Sequence, residues 1–409
     1  MAQKLSRRWV VASMAASVSL AKISRATARA SSPGISADEI KLGTTAFYSG
    51  HASTAAPYGL AQVAYFRMIN ERGGINGRKV NLISLDNAFS PPKALEQTRK
   101  LVESDEVFII AGSIGTPTNA AIQRYLNDKG VPNLFLTSGA ERFNNPSEFP
   151  WIVPFYPTFV SQGRLFAKFI LHERASAKIA VQYENDDIGR DYLKGLKQGL
   201  GGMASQMIVR ELSHELSDPT VDSQILDFKA SGADTLVQFT QSKFAGQGIR
   251  AASGLNWRPL HIVASIAGSV GATFIPAGAE ASKGVVTAYW ERNPGDPSQA
   301  DHPAVKEFTA FASRYMPRLD LNNASAVQGY NNAYMIERVL DRCGDDLTRE
   351  NLLRQATTLR GIVPPMFADS IGVHNSPTDY RAVHHLQLCR FDGVSLAPIG
   401  APALLDDTA

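Results

Sequence analysis

Apolar positions recur along this chain with two alternating periods. Short apolar runs of strand length occupy residues 40–46, 80–85, 107–111 and 132–137. Between them lie stretches with apolar residues three and four apart, the pattern of helices that bury one face. The first, residues 55–72, carries Leu60, Val63, Ala64, Met68 and Ile69 on or near one side, and Gly73 and Gly74 end it. Pro91 and Pro92 start a second helix with Leu95, Leu101 and Val102 on its apolar side. Thr116 and Pro117 start a third, Thr as N-cap and Pro where an N–H has no partner, and Gly130 stops it. This alternation predicts a parallel, doubly wound sheet.

Residues 144–157, rich in proline and aromatics, break the rhythm and read as a crossover. A second series follows, with helices at 159–173, 189–200, 223–230 and 246–252. Its strands fall at 177–181, 206–212, 235–239, 260–264 and 284–288. Helical patterns return at 303–315, 324–343 and 348–358, and residues 381–391 alternate like an antiparallel strand. The expected fold is α/β, with two doubly wound, Rossmann-like lobes and several crossings between them.

On such sheets ligands bind outside the carboxyl ends of the strands. The small-residue loops 112–116 and 138–140 lie there, and the helix starting at Thr116 adds free N–H groups suited to a carboxylate or another anion. An ordinary tight turn fits the same residues. Phe47, Tyr48, Tyr183, Tyr289 and Trp290 cluster at the same edge, as pocket walls or as packing between lobes.

The first thirty residues stand apart. Lys4, Arg7 and Arg8 precede a short apolar run, and Ala28-Arg29-Ala30 offers a cleavage site, so this segment reads as an export signal, twin-arginine or general secretory. It holds six Lys/Arg and no Asp/Glu, so the formal charge of +3 becomes −3 without it. No basic patch with interleaved aromatics remains, which argues against nucleic acid. No Gly-rich phosphate loop follows a strand, and no cofactor or metal motif is present. Two cysteines, Cys343 and Cys389, exclude a disulfide scaffold and a Cys-based zinc site; pairing and two buried thiols are both open.

Three constellations carry possible chemistry. Ala111-Gly112-Ser113-Ile114-Gly115 resembles a degraded nucleophile elbow, with Asp186 or Asp187 and His384 or His385 following in hydrolase order. The helix start three or four residues beyond Ser113 argues against it. His384 and His385 point to opposite faces of a strand and do not share a metal easily. Glu184, Asp186 and Asp187 form an acidic group after a strand, read as a solvated edge loop.

Several stretches, in order, match one family. IKLGTTAFYSG, INERGGINGR, LDNAFSPPKALEQTRKLV, VFIIAGSIGTPTNAA, GVPNLFLTSGA and KIAVQYENDDIGRDYLKGLKQGL resemble the branched-chain amino acid (Leu/Ile/Val)-binding type of periplasmic solute-binding proteins of ABC importers, as does ASAVQGYNNAYMIERVL. The resemblance, from Asp38 to about Gly393, implies a type I periplasmic binding fold with a multi-strand hinge. It implies a first lobe at 38–155, a second at 156–285, a return to the first at 286–365, and a hinge crossing with the C-terminal strands at 366–400. The function implied is a monomeric, non-catalytic receptor in the periplasm. It would close on a small solute and deliver it to a membrane permease; a sensory receptor with the same fold is the other use. The implied ligand-binding residues are Tyr48, Tyr58, Gly115, Thr116, Ser138, Gly139, Ala140, Glu141, Ile188, Gln241, Ser265, Tyr289 and Tyr330. Two departures stand out. Amino acid binders of this type carry an aromatic where Ile188 stands and an acid near Ser265. Glu141, in turn, sets a carboxylate beside the proposed anion cradle and calls for a compensating cation. Carboxylate-, amino- and amide-bearing solutes all stay open.

Overall fold

Two sheets organise the protein, whose computed structural model describes residues 32–405. The expected export signal, residues 1–30, lies outside the described residues. The first sheet contains β1 (Glu39–Ala46), β2 (Lys79–Asp86), β3 (Ile110–Ala111), β4 (Asn133–Leu136) and β5 (Ile152–Pro154), in the order β2-β1-β3-β4-β5 and parallel throughout. The helices α1 (Pro57–Glu71), α2 (Pro91–Arg99) and α3 (Thr116–Asp128) make its crossovers.

The second sheet holds β6 (Ile179–Glu184), β7 (Ile208–His214), β8 (Thr235–Phe239), β9 (Leu260–Val263) and β10 (Val286–Tyr289), parallel in the order β10-β9-β8-β6-β7. Two antiparallel strands, β11 (His385–Phe391) and β12 (Leu396–Pro398), extend it beyond β10. The alternation in the sequence therefore corresponds to two doubly wound lobes. The expected return to the first lobe at residue 286 comes slightly later, because β10 still pairs in the second sheet. The chain crosses after β10, and the helix Ala324–Cys343 then lies against α1.

Each parallel sheet reverses its strand order once, between β1 and β3 and between β6 and β8. Chains leave these neighbours in opposite directions, which opens a crevice beyond their carboxyl ends. The two crevices supply the two walls of the cleft described below.

On the second lobe, α4 (Phe159–Glu173) and α5 (Asp187–Leu200) are joined by a glycine seam. A Cβ on Gly163 would sit 2.2 Å from the Tyr192 carbonyl oxygen, and one on Gly195 would sit 2.0 Å from that of Val160. The backbones approach too closely for any side chain there. Asp186 caps α5 by accepting from the N–H groups of Ile188 and Gly189, at 2.8 and 3.2 Å.

Cys343 and Cys389 are both buried, unpaired thiols. Cys389 hydrogen-bonds the Thr287 carbonyl within the second sheet, whereas Cys343 closes the helix Ala324–Cys343.

Candidate functional site

A cavity of about 230 Å³ lies where the two crevices face each other. Phe47 follows β1, Ile114, Gly115 and Thr116 follow β3, and Thr137 and Ser138 follow β4; these form the first wall. Ile188 follows β6, Gln241 follows β8, and Ser265 and Ile266 follow β9; these form the second. The floor consists of segments that cross between the lobes, with Tyr156 from one and Tyr289, Trp290 and Glu291 from another, joined by Val327 and Gln328.

Glycine geometry builds the first wall. Gly115 adopts φ 103°, and a Cβ there would meet the Phe47 ring at 2.9 Å. Gly112, at φ 58°, has the Asn332 side-chain oxygen 1.9 Å from where its Cβ would be. Both positions exclude L side chains on backbone and space alike. Gly115 also replaces Thr116 as the N-cap of α3, because its backbone turns before the threonine. The Thr116 hydroxyl instead bonds that of Ser138 at 2.7 Å, tying β3 and β4 loops together at the cavity edge. A bulge in β4 carries Phe135 at φ 58° and re-aims the strand end that presents Thr137 and Ser138.

Of the residues named from the sequence, Gly115, Thr116, Ser138, Ile188, Gln241, Ser265 and Tyr289 border the cavity. The others do not. Tyr58 is fully buried beneath the first wall, where its hydroxyl donates to the Gly112 carbonyl at 2.8 Å and bonds the Thr137 hydroxyl at 2.7 Å. Tyr330 packs among Tyr65, Phe308 and Phe311 in the core. Tyr48 bonds Ser84 on the neighbouring strand. Gly139 is a packing position, since a Cβ would lie 2.3 Å from the Pro157 carbonyl. Ala140 is buried and donates its N–H to Ser138 Oγ at 3.2 Å.

Glu141 points away from the cavity to its rim. There it pairs with Lys194 of α5, and its backbone N–H donates to Asp191 at 2.8 Å. Arg142 reaches Asp187 at 3.0 Å. The cation that Glu141 required is therefore present, on the opposite lobe. Burial, and the charges of Glu141 and Asp187, push the Asp191 carboxyl up to about 6.

The floor was not foreseen beyond Tyr289 and Trp290. Tyr156 packs edge-on against Trp290 with ring centroids 4.6 Å apart, and burial holds its hydroxyl well above the usual tyrosine range. Asn331, on the helix Ala324–Cys343, donates from Nδ2 to the Glu291 carboxyl at 2.8 Å, and Gln328, one turn earlier on the same face, lines the cavity beside it. Burial pushes this carboxyl up to about 8, and the two amides only partly oppose it. The local signal was a Glu-Arg-Asn run directly after a strand, which sequence alone does not connect with Gln328 and Asn331.

Ser113 is not a nucleophile elbow. Its hydroxyl is 1% exposed and lies between the side-chain oxygens of Asn119 and Asn133. His384 is stacked on His374 with centroids 3.9 Å apart, where the β11 strand has not yet begun. The acidic group is likewise not a solvated loop. Glu184 is 1% exposed and accepts from Gln241 at 3.0 Å, while Asp186 is the α5 cap. Among the described residues no group of three or more His, Cys, Asp or Glu is placed to hold a metal ion.

The sequence profile of the periplasmic binding protein family matches residues 39–393. The leucine-specific-binding protein of Salmonella typhimurium is 29% identical over 184 residues, covering 42% of this chain and 47% of that protein. Leu/Ile/Val-binding protein homolog 4 of Brucella abortus is 31% identical over 117 residues, 27% of this chain and 28% of the relative. The chain thus spans at most about half the length of these curated relatives. Among solved structures, a branched chain amino acid ABC transporter protein from Thermus thermophilus with bound valine superposes with a TM-score of 0.80. That pair is 17% identical, with 90% of this chain and 97% of the other covered. A solute-binding protein of an ABC transporter from R. palustris in complex with benzoate gives 0.73 at 19% identity, over 90% and 98%. At such identities these structures speak for the fold alone.

Proposed function

The chain belongs to the periplasmic binding protein family, and from that premise we propose that it is an exported receptor for a small solute, serving an ABC import permease. The solute bears a carboxylate, amino or amide group, as in amino acids and aromatic acids. The observation that carries this reading is the cavity itself, walled by both lobes and floored by the segments between them. A solute held there touches every part that must move for the lobes to separate. It favours the closed state by its differential affinity for that state, with no chemistry required. The valine- and benzoate-bound neighbours support a solute of this size. So does the volume, which lies below the usual range of about 300–1,000 Å³ for drug-sized ligand pockets. The buried, amide-held Ser113 gives no support to the hydrolase alternative.

The test is a thermal-shift panel of amino acids, amides and aromatic acids on the mature chain. One chemical group should raise the melting temperature, since a ligand at a hundred times its Kd adds about 2.7 kcal/mol. A panel without any shift overturns the receptor reading. Transport is separable from sensing by asking whether the loaded protein stimulates ATP hydrolysis by a permease reconstituted in vesicles.

A further inference from the structure

Leu216, in the loop after β7, is a large apolar residue in an otherwise polar turn. Its neighbours Glu215 and Ser217 are exposed, as are Pro219 and Thr220 just beyond. Leu216 itself is half-buried, because it packs against a cluster that includes Phe47, Phe89 and Ile114. Every other member of that cluster belongs to the first lobe. Leu216 also packs against the second-lobe cluster around Phe228 and Phe244. It therefore joins the two lobes directly, away from the segments that cross between them.

Both sides of this contact are fixed in shape. In the Leu216 turn, Asp218 accepts from the Glu215 N–H at 2.9 Å, and its own N–H donates to the Glu215 carbonyl at 3.1 Å. From the helix Ser242–Gly254, Lys243 donates to the Asp218 carbonyl at 3.1 Å and Gln247 to that of Pro219 at 3.0 Å. On the first lobe, Ala88 and Phe89 adopt φ 50° and 57° in succession. That left-handed backbone is unfavourable for a bulky L residue and persists only where its surroundings impose it. Here Asp86 accepts from the Ala88 N–H at 3.0 Å and Asn87 from that of Phe89 at 2.9 Å. Phe47 then meets Phe89 edge-on, with ring centroids 4.8 Å apart. The strained residue is thus one that forms the Leu216 socket.

We propose that Leu216 is a bolt between the lobes, whose burial in the first-lobe socket favours closure before any solute enters. The inference rests on the receptor reading for one premise, that the lobes part. An apolar contact of this kind needs no counter-charge and is indifferent to salt. The pairs Glu141–Lys194 and Arg142–Asp187, half-exposed at the rim, are screened by it. The two contacts also hold different places. Phe47 and Phe89 follow β1 and β2, whereas Glu141 follows β4, beyond the point where the strand order reverses. A closure biased in advance leaves the solute a smaller population shift to supply.

The experiment is small-angle X-ray scattering from the mature chain, shown free of carried-over solute by native mass spectrometry. The wild type should scatter as this structure does, at low and high salt alike. Leu216→Glu should lower the closed-to-open ratio at least about 10-fold, the scale of half-burying a leucine, and enlarge the radius of gyration. Leu216→Met, which keeps an apolar side chain of similar volume, should restore the compact curve. Circular dichroism checks that each variant is folded; should Leu216→Glu fail that check, Leu216→Asn takes its place with the same expectation. A wild type that scatters as an open chain overturns the proposal, and so does a folded polar variant as compact as the wild type. Opening of the wild type by high salt would assign closure to the rim pairs and overturn it as well. The receptor reading fails separately. A solute that shifts the wild-type melting temperature upholds it whatever the scattering shows, and a panel without any shift overturns it even if Leu216 behaves as described.

Discussion

The rim and the floor of the cleft each carry a glutamate, and the protein treats the two in opposite ways. At the rim, Glu141 is half-exposed and meets Lys194 across the opening, with Arg142 and Asp187 beside them. At the floor, the Glu291 carboxyl accepts from Asn331 Nδ2 at 2.8 Å and has no ion-pair partner among the described residues. The rim pair is half-exposed to water, so its attraction is largely screened. At the floor, burial outweighs the amide contact and pushes the Glu291 carboxyl up to about 8. Two residues of one type thus sit in different surroundings: one in a half-exposed ion pair at the opening, the other against an amide on the cavity floor.

Three measurements sharpen that contrast, and the largest effect belongs to the floor. Tyr156→Ala removes the ring packed on Trp290 and Phe159. The expected loss is about 3–5 kcal/mol in urea unfolding, because a large buried aromatic leaves a cavity that the neighbours cannot fill. A loss no larger than that of a surface residue would show that the floor is not packed as described.

Glu291→Gln should act on stability through pH. A carboxyl raised from 4.5 to about 8 in the folded protein stabilises the fold fully below 4.5, and that contribution fades as pH rises through about 8. Each unit of displacement is worth about 1.4 kcal/mol. The glutamine does not titrate. The melting temperature of the variant minus that of the wild type should therefore climb between pH 4.5 and 8 and level off above. A flat difference would place Glu291 in ordinary solvent.

The smallest effect is expected at the rim. Lys194→Ala should change stability by less than about 1 kcal/mol, as exposed pairs do. Solute affinity should fall only a few-fold, and the deficit should shrink in high salt. A large, salt-independent deficit would make the rim the equal of the floor.

The sequence was most informative where structure follows from neighbouring residues. The helix Phe159–Glu173 was readable to the residue, because Thr158 caps it and its apolar positions keep one period. The loops after β3 and β4 could be placed at the cleft, since the carboxyl edge of a doubly wound sheet fixes where a ligand lies, whereas Ile188, Gln241 and Ser265 of the second lobe were placed by the family resemblance. Tyr58 and Tyr330 show the limit: an aromatic under a wall and one in it have the same local pattern, and only the fold separates them. Glu141 adjoins a cavity loop in sequence, but the short helix it begins turns its side chain outward to Lys194. Glu291 was invisible for a further reason. Its amide partner Asn331 lies forty positions along the chain, so nothing near it in the sequence announces burial.

The glycine seam between α4 and α5 bears on how such a protein can change over generations. Helix α5 carries Ile188 to the cavity and Lys194 to the rim, and Gly163 and Gly195 press it against α4 with no room for even a methyl group. In a saturation library those two positions should be nearly empty of survivors, while Ile188, whose side chain faces the cavity, should admit many replacements. New ligand preferences are then reached by exchanging side chains on a fixed frame. The seam narrows the routes open to selection, and so keeps the same frame recognisable while its cargo diverges.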